Sequence, residues 1–87
     1  MRMVITSKVN NLEKWLSFRE ERLLTISKFA TNIWEYVESG GGNMTAITFD
    51  VKDEEAMYTA LSNEIVKAEI LRHGVKPETI LSFKQKV

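Results

Sequence analysis

His73 is the single histidine of the chain, and its side chain alone has a reference pKa near neutrality. It is the natural candidate for a general base or a haem ligand. It follows Ile70 by three residues and Val66 by seven, beside the apolar stripe of a helix. The competing reading is a protonated His at a helix C-terminus, stabilised by the dipole and turned to solvent. Trp34 and Tyr36 lie two apart on a strand-like stretch. They could stack on a planar ligand and supply a phenol donor, or equally pack a core or an interface. Trp15 sits squarely on the inward stripe of a first helix, which suits the core first and a ligand wall second.

Other arrangements carry less. The chain has no cysteine, which excludes a disulfide or a thiolate metal site, and one His with scattered carboxylates predicts no metal centre. Gly40-Gly41-Gly42 lacks the Lys and Ser/Thr of a phosphate-binding loop and precedes a strand. Arg19-Glu20-Glu21-Arg22 and Asp53-Glu54-Glu55 are runs of adjacent helix residues, which point about 100° apart, and they read as solvated or capping groups. No partner that would orient His73 in a Ser-His-Asp set is identifiable.

These side chains need elements to hold them. Residues 2–9 alternate as a strand, with Met3, Ile5 and Val9 on one side. Asn10 and Asn11 offer helix caps, and Asn10 with Glu13 suggests an Asn variant of the capping box. A first helix is predicted from about Asn11 to Lys28, with Leu12, Trp15, Leu16, Arg19, Leu23 and Ile26 inward. Two alternating stretches, Asn32–Glu38 and Met44–Val51, flank Gly40-Gly41-Gly42-Asn43 and predict a hairpin. Asp53 caps a second helix that carries Met57, Ala60, Leu61 and Ile65 on its apolar stripe and weakens at Ser62-Asn63-Glu64. It stops at Arg72-His73-Gly74, Pro77 forbids continuation, and Thr79–Val87 alternates as a last strand.

The order β-α-β-β-α-β predicts an α+β, ferredoxin-like fold over residues 1–87. It has a four-stranded antiparallel sheet with both helices on one face. The first and third strands should be central. Glu35 and Glu38, or Lys84 and Lys86, would blunt the edges. Large apolar groups on both sides of the second and third strands imply a homodimer covering the second face. Such a domain of 87 residues is marginal alone. Its formal charge is zero, which gives no case for nucleic acid or an anionic membrane as partner. No apolar run approaches the roughly 20 residues of a bilayer span, and the N-terminus does not read as a signal peptide, so a cytoplasmic protein is expected.

At this level the chain resembles the dimeric α/β-barrel superfamily, which includes antibiotic-biosynthesis monooxygenases, polyketide-cyclase-like proteins and haem-degrading monooxygenases. The likeness covers nearly the whole chain. It rests on element spacing, the interrupted second helix, and Ala68-Glu69-Ile70-Leu71-Arg72-His73-Gly74-Val75 leading into the last strand. It implies sheet-to-sheet dimers with a ligand cavity between sheet and helices. The Asn, Trp and His of haem-degrading members are not matched, since Asn10 and Asn11 come late, Trp34 is on the second strand, and the third has no Trp. Two function classes follow. One is a monooxygenase- or cyclase-like enzyme without cofactor, acting on a small apolar or aromatic molecule through His73 and Tyr36, with Trp34 and Trp15 against the ligand. The other is a non-catalytic dimeric ligand-binding or structural module, with a filled core and His73 in solvent.

Overall fold

The computed structural model describes residues 1–87. Strand β1 spans Arg2–Lys8 and β3 spans Met44–Val51; they pair antiparallel at the centre of the sheet. Strands β2 (Ala30–Val37) and β4 (Leu81–Lys84) form the edges, giving the order β2-β3-β1-β4. The predicted sheet is the observed one. The expected hairpin is also present: Glu38 N–H donates to the Met44 carbonyl, and Gly41 takes a φ of +83° in the turn.

The register decides what each face carries. Ile5 opposes Ile47 and Met3 opposes Phe49, and this face packs under the helices. A core of Met3, Ile26, Phe29, Ala30, Phe49 and Met57 lies between the layers. On the other face Trp34 opposes Thr48, Tyr36 opposes Ala46, Leu81 opposes Thr6, and Phe83 opposes Val4. All four large side chains there are exposed.

The helices differ from expectation in informative ways. The cap of the first is Asn11, whose Oδ1 accepts from Lys14 N–H at 3.1 Å, rather than Asn10. A break at Phe18 divides the predicted long helix into α1 (Leu12–Ser17) and α2 (Arg19–Ile26). Two groups support the break. Ser17 Oγ donates to the Lys14 carbonyl at 2.6 Å, and Arg22 Nη1 donates at 2.7 Å to the Trp15 carbonyl, an end-of-helix acceptor that the Phe18 N–H meets at 3.2 Å. Arg22 is buried, whereas Arg19 and Leu16, expected inward, are exposed. The second helical region begins at its predicted cap, Asp53, and divides at Asn63 into α3 (Glu54–Ser62) and α4 (Glu64–Arg72). Asn63 is extended, and its side chain caps α4 through Ile65 N–H at 2.7 Å. A 3₁₀ turn at Pro77–Thr79 takes the start of the predicted last strand, which is shorter than its alternation suggests. Glu35, read above as an edge charge, instead faces the helices opposite Ile47.

Candidate active site between sheet and helices

The end of α4 sets the position of His73. Gly74 adopts φ +83°, its N–H donates to the Leu71 carbonyl at 3.0 Å, and Val75 N–H reaches back to Ile70 at 3.2 Å. These are the paired bonds of a Schellman C-cap. Val75 then bridges to Val9, and Asn10 N–H donates to the Gly74 carbonyl at 2.8 Å, tying the cap to the end of β1. His73 is consequently 1% exposed and stacks on Phe18, with ring centroids 4.5 Å apart. It does not project into solvent.

Nor is it without partners. Its Nδ1 lies 3.3 Å from Arg22 Nη1, and its Nε2 lies 3.0 Å from Glu21 Oε1 and 3.9 Å from Glu69 Oε1. A guanidinium only donates, so Nδ1 must accept; the ring proton therefore sits on Nε2 and is given to Glu21. Arg22 is itself fixed. Its guanidinium stacks 3.8 Å from the Trp15 ring centroid and forms a two-pronged ion pair with Glu35, in which Nη2 is 2.8 Å from Oε1. Glu21 also binds Arg72 at 2.7 Å. The Arg72 hydrogen bond, then that of His73, lowers the Glu21 pKa from its ordinary 4.5 to about 2.

A cavity of about 130 Å³ adjoins this cluster. Its walls are largely apolar, from Ile5 and Phe49 on the sheet to Trp15, Ile26 and Ile70 on the helices, with Ser7, Arg22, Thr25, Glu69 and His73 as polar members. Arg22, Glu69 and His73 are buried charged or titratable residues that all line it, while the carboxylate of Glu35, 4% exposed, pairs with Arg22 outside the lining. Of the residues singled out in the sequence, the fold brings His73 and Trp15 together here. Trp34 and Tyr36 lie on the opposite face of the sheet, away from this cavity. Glu21, Arg22, Thr25, Glu35 and Glu69 were not singled out as site residues. Two spacings bear on that: Glu69 precedes His73 by four residues and Arg22 follows Trp15 by seven, both helix-neighbour distances.

Glu21, Glu69 and His73 present ligand atoms within 4.8 Å of one another, a span that a divalent cation could bridge. The surrounding donors do not suit one. Metal at Nε2 would move the imidazole proton to Nδ1, where Arg22 offers no acceptor, and Glu21 is already committed to Arg72. The set is better arranged to hold and pass a proton.

This geometry can be set against known proteins. No protein-family model matches the sequence, and no curated protein does. Solved structures do. SnoaB, a cofactor-independent oxygenase from Streptomyces nogalater, superposes with a TM-score of 0.69 at 12% identity, over 99% of this chain and 92% of that one. An antibiotic biosynthesis monooxygenase superposes at 0.59 and 10% identity over the whole of both chains. A conserved protein from Methanosarcina mazei Go1 does so at 0.59 and 19%, over 98% and 91%. This is the fold of the antibiotic-biosynthesis monooxygenases. The four-stranded α+β fold of the single chain is thereby shown, and at these identities the likeness speaks of fold alone.

Proposed function

We propose that the protein is a small homodimeric enzyme of the oxygenase-like kind, acting without metal or organic cofactor on a small apolar or aromatic molecule held in the cavity. The observation that carries this reading is that three buried titratable or charged residues, Arg22, Glu69 and His73, converge on one apolar hollow. Burying such groups in so small a core costs stability, and a chemical task is the usual reason to tolerate it. Without a redox cofactor, the electrons for dioxygen must come from the substrate, and removing its proton makes it a better electron donor. The protein then has to supply a base, a way to hold the proton, and an apolar enclosure. His73, set between Arg22 and two carboxylates, is the proton-handling residue in this scheme. Trp15 forms a wall of the pocket.

Oxygen uptake with a panel of single-ring phenols and enolisable ketones tests the reading. We expect uptake by the native protein and a fall of about 100-fold or more in His73→Gln, with unchanged far-UV circular dichroism. No uptake from any member of the panel, or an unimpaired His73→Gln, would remove it. One observation favours a second reading, a ligand-binding module without chemistry: no buried side-chain nitrogen or oxygen lacks a hydrogen-bond partner. Ligand binding without oxygen uptake would select that alternative.

The homodimer is inferred from the open face of the sheet. Trp34 and Tyr36 on β2 and Leu81 and Phe83 on β4 stand at the two edges of that face, between 49% and 57% exposed, with Val4, Thr6, Ala46 and Thr48 on the strands between them. Large apolar groups left open at both edges of one face call for cover. In a dimer, Trp34 and Tyr36 would serve that contact, and any part they take in ligand binding would have to come through it.

A further inference from the structure

Two hollows meet at a single hydrogen bond. Beside this inner cavity, a wider groove of about 510 Å³ runs between α2 and the α3–α4 pair. Thr25, Ala60, Val66 and Glu69 line both spaces and so form the partition between them. Ala60 and Val66 are small and flank the helix break at Asn63. The polar part of the partition is Thr25, whose Oγ1 donates to both oxygens of Glu69 at 2.9 Å.

Glu69 is an under-used acceptor. Its side chain makes no other hydrogen bond, and His73 Nε2, at 3.9 Å, is beyond hydrogen-bond distance. The single Thr25 hydroxyl hydrogen is shared across both oxygens, so a donor arriving at either one competes with it, and the residue is only 8% exposed. We infer that the ligand enters from the α2–α3–α4 groove, and that its own hydroxyl displaces Thr25 as the donor to Glu69. This rests on the reading above that the inner cavity is the ligand's.

The chemical class of the ligand follows from volume and charge. A dry cavity of about 150 Å³ holds one benzene ring, so about 130 Å³ has room for a single ring at most. Glu69 rewards a donor and repels an anion. The groove adds Asp53 and Glu55 against one cation, Lys28. The ligand is thus a small, neutral, hydroxylated ring, with phenol as the simplest example. Glu69 is the residue that selects it, and Thr25 is a positioning residue that holds the entrance shut.

Anaerobic titration of the full chain with phenol and with toluene, followed by calorimetry or NMR, tests this without turnover. Phenol should bind about tenfold or more tightly than toluene, the difference that one hydrogen bond to a charged acceptor makes. Glu69→Gln should shrink that preference. Thr25→Val, which removes the competing donor, should tighten phenol binding severalfold and leave toluene unchanged, while Thr25→Ser should match the native protein. Equal affinity for the two rings, no binding of either, or a Thr25→Val variant that binds phenol as the native chain does would each overturn the inference. Selective phenol binding with no oxygen uptake would leave it standing and remove the oxygenase reading. Oxygen uptake on a substrate indifferent to both variants would do the reverse.

Discussion

Arg22 holds the site together. It touches Trp15 through its ring and its carbonyl, Glu35 through two nitrogens, and His73 through Nδ1. Removing it leaves Glu35 as an unpaired buried charge, since the Glu35 side chain is 4% exposed and Arg19 stands 4.0 Å away. Arg22→Met should therefore cost about 3–5 kcal/mol, read as a lower denaturant midpoint. The double change Arg22→Met with Glu35→Met should recover much of that loss, because a buried ion pair is often replaceable by apolar packing although half of it is not. Glu21 gives a pH signature. Its carboxyl titrates lower in the folded chain than in the unfolded one, so its contribution is complete above the ordinary 4.5 and is lost as pH falls towards about 2. Thermal unfolding from pH 6 to pH 2 should show this slope, and Glu21→Gln should flatten it. Some slope remains, because the Arg2 hydrogen bond, then that of Asn32, also lowers the pKa of Asp50. High salt should weaken the Glu21 part, as its side chain is 40% exposed. None of this pairing was legible in the chain. Arg22 sits in a charge run that reads as solvated surface, and its partners Glu35 and His73 lie 13 and 51 residues away.

At the scale of elements, legibility follows from how local the cause is. Asp53 and the Gly40–Asn43 tract act within a few residues, and the chain folds at both as predicted. The Asn63 break was visible as a weak point for the same reason. The break at Phe18 was not, because the Trp15 carbonyl takes its shorter hydrogen bond from a side chain seven residues on. The bulge in β2 between Thr31 and Trp34 also escapes local pattern. There Asn32 takes φ +52°, with its side chain bonded to Asp50 and to the Trp34 indole. The element that matters most to His73 is its C-cap. A Cβ on Gly74 would meet nothing nearer than 3.9 Å, so the obstacle to a larger residue is conformational. Gly74→Ala should cost about 1–2 kcal/mol from the left-handed backbone. It should also shift the His73 ring resonances, as the cap that aims the imidazole is strained.

For the whole molecule, the question is what covers the open face of the sheet. Light scattering on a sizing column should give twice the 10.0 kDa chain mass, and Trp34→Asp should return it to that of one chain. A native protein that runs as one chain would remove the homodimer from the reading. The α+β class and strand order could be read from the sequence because element order leaves few packings. The faces of the two central strands came through as well, since period two in β1 and β3 suffices once the layers are known, whereas that of Glu35 on β2 did not. What lay beyond reach was which polar groups the two layers would trap between them, as that depends on tertiary approach. The same layering gives the chain two optical reporters. Trp15 is sealed beneath a guanidinium at the cavity wall, and Trp34 stands 56% exposed on the far side of the sheet. Their emissions should separate by wavelength and by access to acrylamide, so that dilution alters the red-shifted indole and cavity filling the blue-shifted one. One unlabelled sample would then report assembly and occupancy independently.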